Sequence, residues 1–107
     1  MGHLGVDWPE LKRFLQRVHE RFPLERAILF GSRAKREELL HFDYDLVLVS
    51  PAFRALPYSE RVRRVPKLWA LDVGLEPIPL TPEEFTERAG KITVVAEAVR
   101  TGQEVWP

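Results

Sequence analysis

Two aspartates, Asp43 and Asp45, stand two residues apart at the head of an apolar run that ends at Val49. Residues two apart on a β-strand project from the same face of the sheet, so both carboxylates are expected on one face. Neighbouring carboxylates repel each other unless a proton or a cation lies between them. Magnesium accepts one or two carboxylates and completes its shell with phosphate oxygens and water. The pair is therefore a candidate magnesium site.

A second candidate feature precedes the aspartates. Gly31 and Ser32 break an apolar run that predicts a buried strand, and a short helix is predicted over residues 33–40. Free backbone N–H groups at such a helix start favour phosphates. Glycine lets a phosphate approach the backbone, the serine hydroxyl adds a donor, and Arg33 and Lys35 add positive charge. Beside an aspartate pair, this cradle would form a site for magnesium and a nucleoside triphosphate.

Taken singly, these motifs have plainer interpretations. Gly-Ser before a helix is usually only a turn, and Asp-x-Asp at a strand start is usually a solvated strand end or a helix cap. The three histidines show no metal-ligand spacing, which disfavours a zinc site. The cluster of Arg61, Arg63 and Arg64 is typical of a solvated helix face. Only the combination of the two motifs indicates a function.

Hydrophobic periodicity predicts elements that could position these residues. Strands are predicted at residues 27–30, 44–49 and 75–80, and a small fourth strand is predicted at 104–106. Helices are predicted from the Asp7 cap to Pro23, over 33–40, from a Ser59 cap to about Leu71 with Pro66 straining the middle, from a capping box at Thr81, and over 92–100. Strands alternating with helices predict an α/β or α+β fold.

The third predicted strand carries a further acidic residue, Glu76. Pro77 and Pro79 lack N–H groups on the same side of this strand, which favours a position at the sheet edge. Its other side is expected to pair with the aspartate strand, which would bring Glu76 beside Asp43 and Asp45. Asp72 is the rival third acid, but it precedes Gly74 and is expected outside the strand.

Length and composition limit the alternatives. The 107 residues fit one domain, 1–107, and 16 basic residues balance 16 acidic ones, so a strong general attraction to nucleic acid or anionic membranes is not indicated. The absence of cysteine excludes disulfides and thiolate metal sites. No apolar run approaches a membrane span, and the N-terminus lacks the order of a signal peptide, so we expect a cytoplasmic protein. The absence of asparagine hints at a thermophilic source.

The combined motif resembles that of the nucleotidyltransferase superfamily related to DNA polymerase β. Phe30-Gly31-Ser32 is followed by ten residues and then by Asp43-Tyr44-Asp45-Leu46. The Gly-Ser-Arg-Ala form and the short chain are similar to the minimal nucleotidyltransferases of bacteria and archaea. The likeness continues through residues 74–85, where the family usually has a third acidic strand residue. Three departures are Phe42 for the frequent serine, Arg36 for the frequent glycine, and Glu76 for the usual aspartate.

The resemblance implies a nucleotidyltransferase fold, with helices packed on a small mixed β-sheet. It also implies magnesium-dependent transfer of a nucleoside monophosphate, such as AMP from ATP, to an acceptor hydroxyl. Asp43 and Asp45 would hold two Mg²⁺ ions, and Glu76 would ligate the ion nearest the acceptor and help to deprotonate it. The implied nucleotide-binding residues are Gly31, Ser32, Arg33 and Lys35.

The resemblance further implies a separate small helical protein of the HEPN type as partner and acceptor, in a toxin–antitoxin-like pair. The alternative is a non-catalytic nucleotide-binding or antitoxin subunit that neutralises its partner by contact, and the Glu76 replacement keeps that hypothesis open. A polymerase-like enzyme acting on nucleic acid is disfavoured by the neutral charge and small size. Homo- or hetero-oligomerisation stays open, as do the nucleotide base and the acceptor.

Overall fold

The computed structural model describes residues 6–31 and 43–107. Its helices and strands, in chain order, are α1 (Trp8–Arg21), β1 (Arg26–Phe30), β2 (Tyr44–Val49), α2 (Tyr58–Arg64), β3 (Leu75–Leu80), α3 (Pro82–Ala89), α4 (Val94–Thr101) and β4 (Gln103–Glu104). Two short 3₁₀ helices, Pro51–Ala55 and Val65–Leu68, flank α2. The helix predicted over residues 33–40 lies outside the described residues.

The four described strands form one mixed sheet in the order β3-β2-β1-β4. β1 pairs antiparallel with β2 and with β4, while β2 pairs parallel with β3. The central strand β2 is buried on both faces from Leu46 to Val49, because helices cover both sides of the sheet. The predicted mixed sheet and the burial of this strand are therefore confirmed.

β3 lies at the sheet edge, as its prolines predict. The N–H of Ser50 donates to the carbonyl of Leu80 across 3.0 Å, so even-numbered residues of β3 direct their backbone groups toward β2. Pro77 and Pro79 alternate with them and direct their missing N–H positions to the free edge. The two prolines thus cost the ladder no hydrogen bond, and they hinder pairing with another chain.

Alternation along β2 divides the core into two clusters. Tyr44, Leu46 and Leu48 pack with the buried face of α1. Val47 and Val49 pack on the other face, where the cluster is completed by residues of β3, α3 and α4. We call these the α1 face and the α3/α4 face of the sheet. Burial of each large apolar side chain contributes roughly 1.5–3 kcal/mol, so the two clusters together hold the sheet between its helices.

The helix caps follow the predictions closely at α1 and α3. The carboxylate of Asp7 accepts a hydrogen bond from the N–H of Glu10, and α1 ends two residues before Pro23. The hydroxyl of Thr81 and the side chain of Glu84 satisfy each other's backbone N–H groups in a complete capping box. α4 begins at Val94 behind a Thr93 cap rather than at residue 92, because the Thr93 hydroxyl accepts from the helix backbone.

The prediction for the middle helix was wrong in two respects. α2 begins at Tyr58 behind Pro57, not behind a Ser59 cap, and it ends at Arg64. From Val65 the chain continues as a 3₁₀ helix, because Pro66 has no N–H to donate to the α-helical ladder.

Arg61 is also not on a solvated face, since only 5% of its surface is exposed. Its guanidinium donates to the carbonyls of Leu56 and Pro79 and pairs with the carboxylate of Glu84 at 2.7 Å. Those three acceptors tie α2 to the end of β3 and the start of α3. Arg61 is therefore a structural residue, while its neighbours Arg63 and Arg64 remain exposed.

Candidate active site

Strand pairing brings three candidate residues to one end of the sheet. Asp45 is the register partner of Phe30 in β1 and of Glu76 in β3. Gly31, which directly follows Phe30, ends β1 at the same place. Because β2 and β3 run parallel, the beginnings of both strands meet the end of the antiparallel β1 here. The predicted proximity of Glu76 to the aspartate strand is thus what the register shows.

The carboxylates also share a face of the sheet. Asp45 alternates with Leu46 and therefore lies on the α3/α4 face with Val47. On β3, Leu80 belongs to the same cluster, so Glu76, four residues earlier, projects from that face too. Asp43 precedes Asp45 by two residues and follows the same alternation. The acidic side chains converge at the entrance to β2 and β3, above the apolar cluster of that face.

The electrostatics of Asp45 reflect this crowding. Asp43 and Glu76 are exposed, whereas Asp45 is half-buried. The pKa of Asp45 is raised from its ordinary 3.8 to about 6, first by burial and then by the charges of Glu76 and Asp43. A cation held among these groups would offset that repulsion. The observed charge distribution therefore fits a cation-binding site.

The glycine that ends β1 is required by its contact with Asp45. Gly31 has φ +77°, the left-handed region that favours glycine. A Cβ atom at this position would lie 2.3 Å from Oδ2 of Asp45, well inside van der Waals contact. The bare backbone of Gly31 therefore lies directly against the carboxylate, and any side chain at this position would displace it.

Gly74 makes the equivalent contact with the other aspartate. A Cβ atom there would lie 2.5 Å from Oδ1 of Asp43. The carbonyl of Gly74 accepts a hydrogen bond from the N–H of Tyr44 at 2.9 Å, which fixes its backbone beside the start of β2. Each aspartate thus contacts the backbone of a glycine. Gly31 directly follows β1, and Gly74 directly precedes β3.

The sequence comparison agrees with this arrangement. The model of the Nucleotidyltransferase domain family matches residues 11–101. The chain belongs to the nucleotidyltransferase family. That match spans most of α1, the strands β1 to β3 and the helices α2 to α4, so it includes the acidic strand ends.

The fold of this nucleotidyltransferase domain is similar to a solved structure. A crystal structure at 1.40 Å resolution of a "putative nucleotidyltransferase" from Sulfolobus solfataricus superposes with a TM-score of 0.63 and 22% sequence identity. The alignment covers 92% of this chain and 78% of the other. No curated protein matches the chain significantly. The helices within residues 6–31 and 43–107 include none that is both long and apolar enough to cross a membrane.

The predicted site residues divide into two groups. Gly31, Asp43, Asp45 and Glu76 are brought together at the sheet end. The other nucleotide-binding candidates, Ser32, Arg33 and Lys35, lie outside the described residues. Asp72 is exposed and precedes β3, as predicted, and it is not among the charges that shift the pKa of Asp45.

The aspartate pair can be compared with the ligands that a magnesium ion needs. Within residues 6–31 and 43–107, no three His, Asp or Glu side chains form a group spaced to hold a metal ion. Magnesium, however, needs only one or two carboxylates when phosphates and water supply its other ligands. Asp43 and Asp45 fit that requirement. The charge of Glu76 acts on Asp45, and its role as a third metal ligand stays a prediction.

Sequence reasoning missed the anchors of the aspartate strand. Tyr44 is buried, and its hydroxyl accepts a hydrogen bond from the N–H of Asp7 at 2.8 Å. Its ring lies 5.0 Å from that of Trp69, whose indole N–H donates to the carbonyl of Val73 at 2.7 Å. These contacts fix the segment that leads from Trp69 to Gly74 relative to the start of β2. The only signal in the sequence was the bulky aromatic residue between the two aspartates.

Gly74→Ala is expected to reduce nucleotidyl transfer roughly 10- to 100-fold and to change the unfolding temperature little. The added methyl group displaces the exposed carboxylate of Asp43, whereas nothing in the core has to move. Transfer assays with thermal unfolding would measure both effects. Gly90→Ala is the matched control, because the nearest atom to its Cβ position is 3.8 Å away. Equal activity in the two variants would contradict a positioning role for Gly74.

Proposed function

We propose that this nucleotidyltransferase domain transfers AMP from ATP to a hydroxyl group of a separate acceptor, with magnesium as cofactor. The observation that carries the proposal is the register of β2 and β3, which sets Glu76 opposite Asp45 on the face shared with Asp43. Three acidic side chains lie at the end of the sheet where β2 and β3 begin, next to a glycine backbone. This arrangement matches the needs of a magnesium-bound triphosphate.

Each residue has a chemical task in this proposal. Asp43 and Asp45 would hold magnesium, which supplies Lewis-acid stabilisation of the phosphate charge and of the leaving pyrophosphate. The absence of a side chain at Gly31 lets the Asp45 carboxylate lie against the end of β1, where the triphosphate would bind. The acceptor oxygen attacks the α-phosphorus, and the bond from that phosphorus to the bridging oxygen breaks. Glu76, exposed at the edge strand, accepts the acceptor's hydroxyl proton at a carboxylate oxygen.

The acceptor is proposed to be a hydroxyl of a HEPN-type helical partner protein in a toxin–antitoxin-like pair. This part of the proposal rests on the resemblance to minimal nucleotidyltransferases. Exposed apolar residues on one stretch of the fold support a protein partner: Ile92 is fully exposed, and Val94 and Val99 of α4 are about half exposed.

A second candidate function is a non-catalytic nucleotide-binding or antitoxin subunit that acts by contact with its partner. Two observations favour it. The described residues lack a three-carboxylate metal group, and Glu76 replaces the aspartate usual in the family. In this alternative the carboxylates would bind a nucleotide through magnesium without turning it over. The exposed apolar residues would bind and neutralise the partner protein.

Transfer of label from [α-³²P]ATP to the partner protein tests the proposed function. We expect transfer with magnesium and none in EDTA. Glu76→Gln is expected to lower the rate about 100-fold or more, as loss of a general base does, and Glu76→Asp to keep or raise it. Asp72→Asn is the matched control, because Asp72 is an exposed acid outside β3.

Three outcomes would contradict the proposal or part of it. Binding of ATP without transfer under any condition would favour the non-catalytic alternative. Transfer that persists in EDTA would remove magnesium from the mechanism. A fully active Glu76→Gln together with an inactive Asp72→Asn would show that the third carboxylate is Asp72.

A further inference from the structure

A basic cleft lies away from the carboxylates. It has a volume of about 490 Å³, and its lining residues are Arg21, Phe22, Arg63, Arg64, Lys67 and Leu68. They come from the end of α1, the end of α2 and the following 3₁₀ helix. We call this space the basic cleft. Neither the proposed reaction nor the family motif uses any of these residues.

The basic cleft and the carboxylates occupy opposite faces of the sheet. Phe22 and Leu68 pack against the cluster of the α1 face, whereas Asp45 lies on the α3/α4 face. The two sites also lie toward opposite ends. Arg21 is fourteen residues along α1 from Asp7, which contacts the start of β2, and that distance is roughly 20 Å at about 1.5 Å per residue. A ligand in the basic cleft would therefore not be the triphosphate of the active site.

The cations of the basic cleft are incompletely neutralised. Arg63 and Arg64 share one carboxylate, that of Glu60, at 2.8 and 3.0 Å. Arg21 and Lys67 have no ion-pair partner among the residues that the structure describes. The lining includes no acidic residue. In a chain of zero net charge, four cations around one cavity create a local positive potential that attracts multivalent anions.

The walls of the basic cleft are held in place by contacts beneath it. Arg17, one turn before Arg21, donates to the carbonyl of Leu68 at 3.0 Å and pairs with Glu10. This bond joins α1 to the 3₁₀ helix that carries Lys67. The ring of Phe22 lies 4.8 Å from that of Phe53, which is fully buried. The backbone and the apolar floor of the cavity are thus fixed, while its four basic side chains are exposed.

The lining combines charge with an apolar floor. Phe22 and Leu68 are only partly buried and present an aromatic ring and an aliphatic side chain to the cavity. A bare inorganic anion would use the cations alone, whereas a nucleoside phosphate carries both an anionic and a planar apolar part. Cavities of roughly 300–1,000 Å³ accommodate ligands of that size. We propose that the basic cleft binds a nucleoside phosphate, with phosphates on the cations and the base on Phe22.

The test maps binding on a protein whose active site is disabled. ¹⁵N-labelled Asp43→Asn/Asp45→Asn protein in EDTA is titrated with ADP, with pyrophosphate and with a short 5′-phosphorylated oligonucleotide, and amide shifts are followed by NMR. We expect ADP to shift the amides of Phe22, Lys67 and Leu68. Because the proposed transfer reaction plays no part in this measurement, failure here and failure of the proposed function are separate results.

Matched variants assign the effect to the basic cleft. Arg21→Gln with Lys67→Gln is expected to weaken ADP binding at least about tenfold, because two unpaired cations are lost, and to leave the unfolding temperature unchanged. Arg13→Gln with Arg100→Gln removes the same charge from exposed i,i+3 pairs elsewhere and is expected to change affinity less than about twofold. Equal weakening by both pairs would overturn the proposal, since binding would then follow net charge alone.

The three probes identify the source of the ligand. Tighter binding of ADP than of the oligonucleotide supports a free nucleotide, and the reverse supports the end of a nucleic-acid strand. Pyrophosphate that binds as tightly as ADP would overturn the role of Phe22 and Leu68. Shifts confined to other parts of the protein would overturn the nucleoside phosphate assignment.

Discussion

The double substitution Asp43→Asn with Asp45→Asn is expected to lower the rate of nucleotidyl transfer by roughly a thousandfold or more. Without the metal, the transition state loses several kcal/mol of stabilisation of its phosphate charge. The domain is expected to stay folded, since neither carboxylate supports the core. Asp43 is exposed, and burial of Asp45 disfavours its charged form. Labelled-ATP transfer and thermal unfolding would measure the two effects.

The contribution of Asp45 to stability should change with pH in a defined direction. The pKa of Asp45 is about 6 in the folded protein against 3.8 ordinarily, so between those values the folded state holds the proton more tightly than the unfolded state. In EDTA, the contribution of Asp45 to the stability of the parent protein should therefore fall as pH rises from about 4 through 6 and then level off. Asp45→Asn removes this dependence, so its gain in unfolding temperature should be larger at pH 7.5 than at pH 4.

Two outcomes would contradict these expectations. Global unfolding of the double variant would show that the aspartates have a structural role. A gain in unfolding temperature that is equal at pH 4 and pH 7.5 would show that Asp45 carries no unfavourable charge in the folded protein. Asp72→Asn serves as the control in both measurements, because it neutralises an exposed acid outside the strand.

Gly31→Val is expected to damage both stability and nucleotide binding. A branched side chain at φ +77° costs roughly 1–2 kcal/mol for the left-handed backbone alone. The Cβ atom would also lie 2.3 Å from Oδ2 of Asp45 and would displace that carboxylate. We expect the free energy of unfolding to fall by about 2 kcal/mol or more, and the affinity for magnesium-ATP to fall more than about tenfold. Denaturant unfolding and titration calorimetry would measure these changes.

A milder pair of variants keeps this prediction testable if the valine protein does not fold. Gly31→Ala introduces the same Cβ contact with less bulk. Gly90→Ala adds a methyl group where φ is −90° and the nearest neighbour is 3.8 Å away. Magnesium-ATP should bind normally to the second variant and weakly to the first. Normal binding to both would mean that the phosphate cradle is not at the end of β1.

Much of the sheet was predictable because local signals agreed with tertiary packing. The alternation and apolar content of residues 44–49 marked a strand buried on both faces, and Pro77 with Pro79 marked an edge. The pairing of that edge with β2 then placed Glu76 opposite Asp45, as the structure shows. The parallel direction of the pair was not derivable from either strand alone.

The errors came from interactions that depend on distant residues. The basic neighbours of Arg61 in the sequence favour a solvated position. In the fold, however, its guanidinium is buried and donates to three acceptors from other segments. Ser59 has a capping side chain, yet α2 begins earlier because the carbonyl of Pro57 already accepts a hydrogen bond from the N–H of Arg61. Gly74 gave no sign of its role, since only the folded backbone brings it against Asp43. The proposed roles of Ser32, Arg33 and Lys35 stay predictions.

The hydrogen bond from the N–H of Asp7 to the hydroxyl of Tyr44 gives the strand of the candidate active site a reporter group at a distance from the carboxylates. Tyr44 sits between the two aspartates, so a shift of the strand entrance on metal binding would lengthen or shorten that bond. The amide proton of Asp7 would then change its chemical shift and its rate of exchange with solvent, although Asp7 itself touches no substrate. Its resonance would follow occupancy of the site without a label on the ligand or any substitution near the carboxylates.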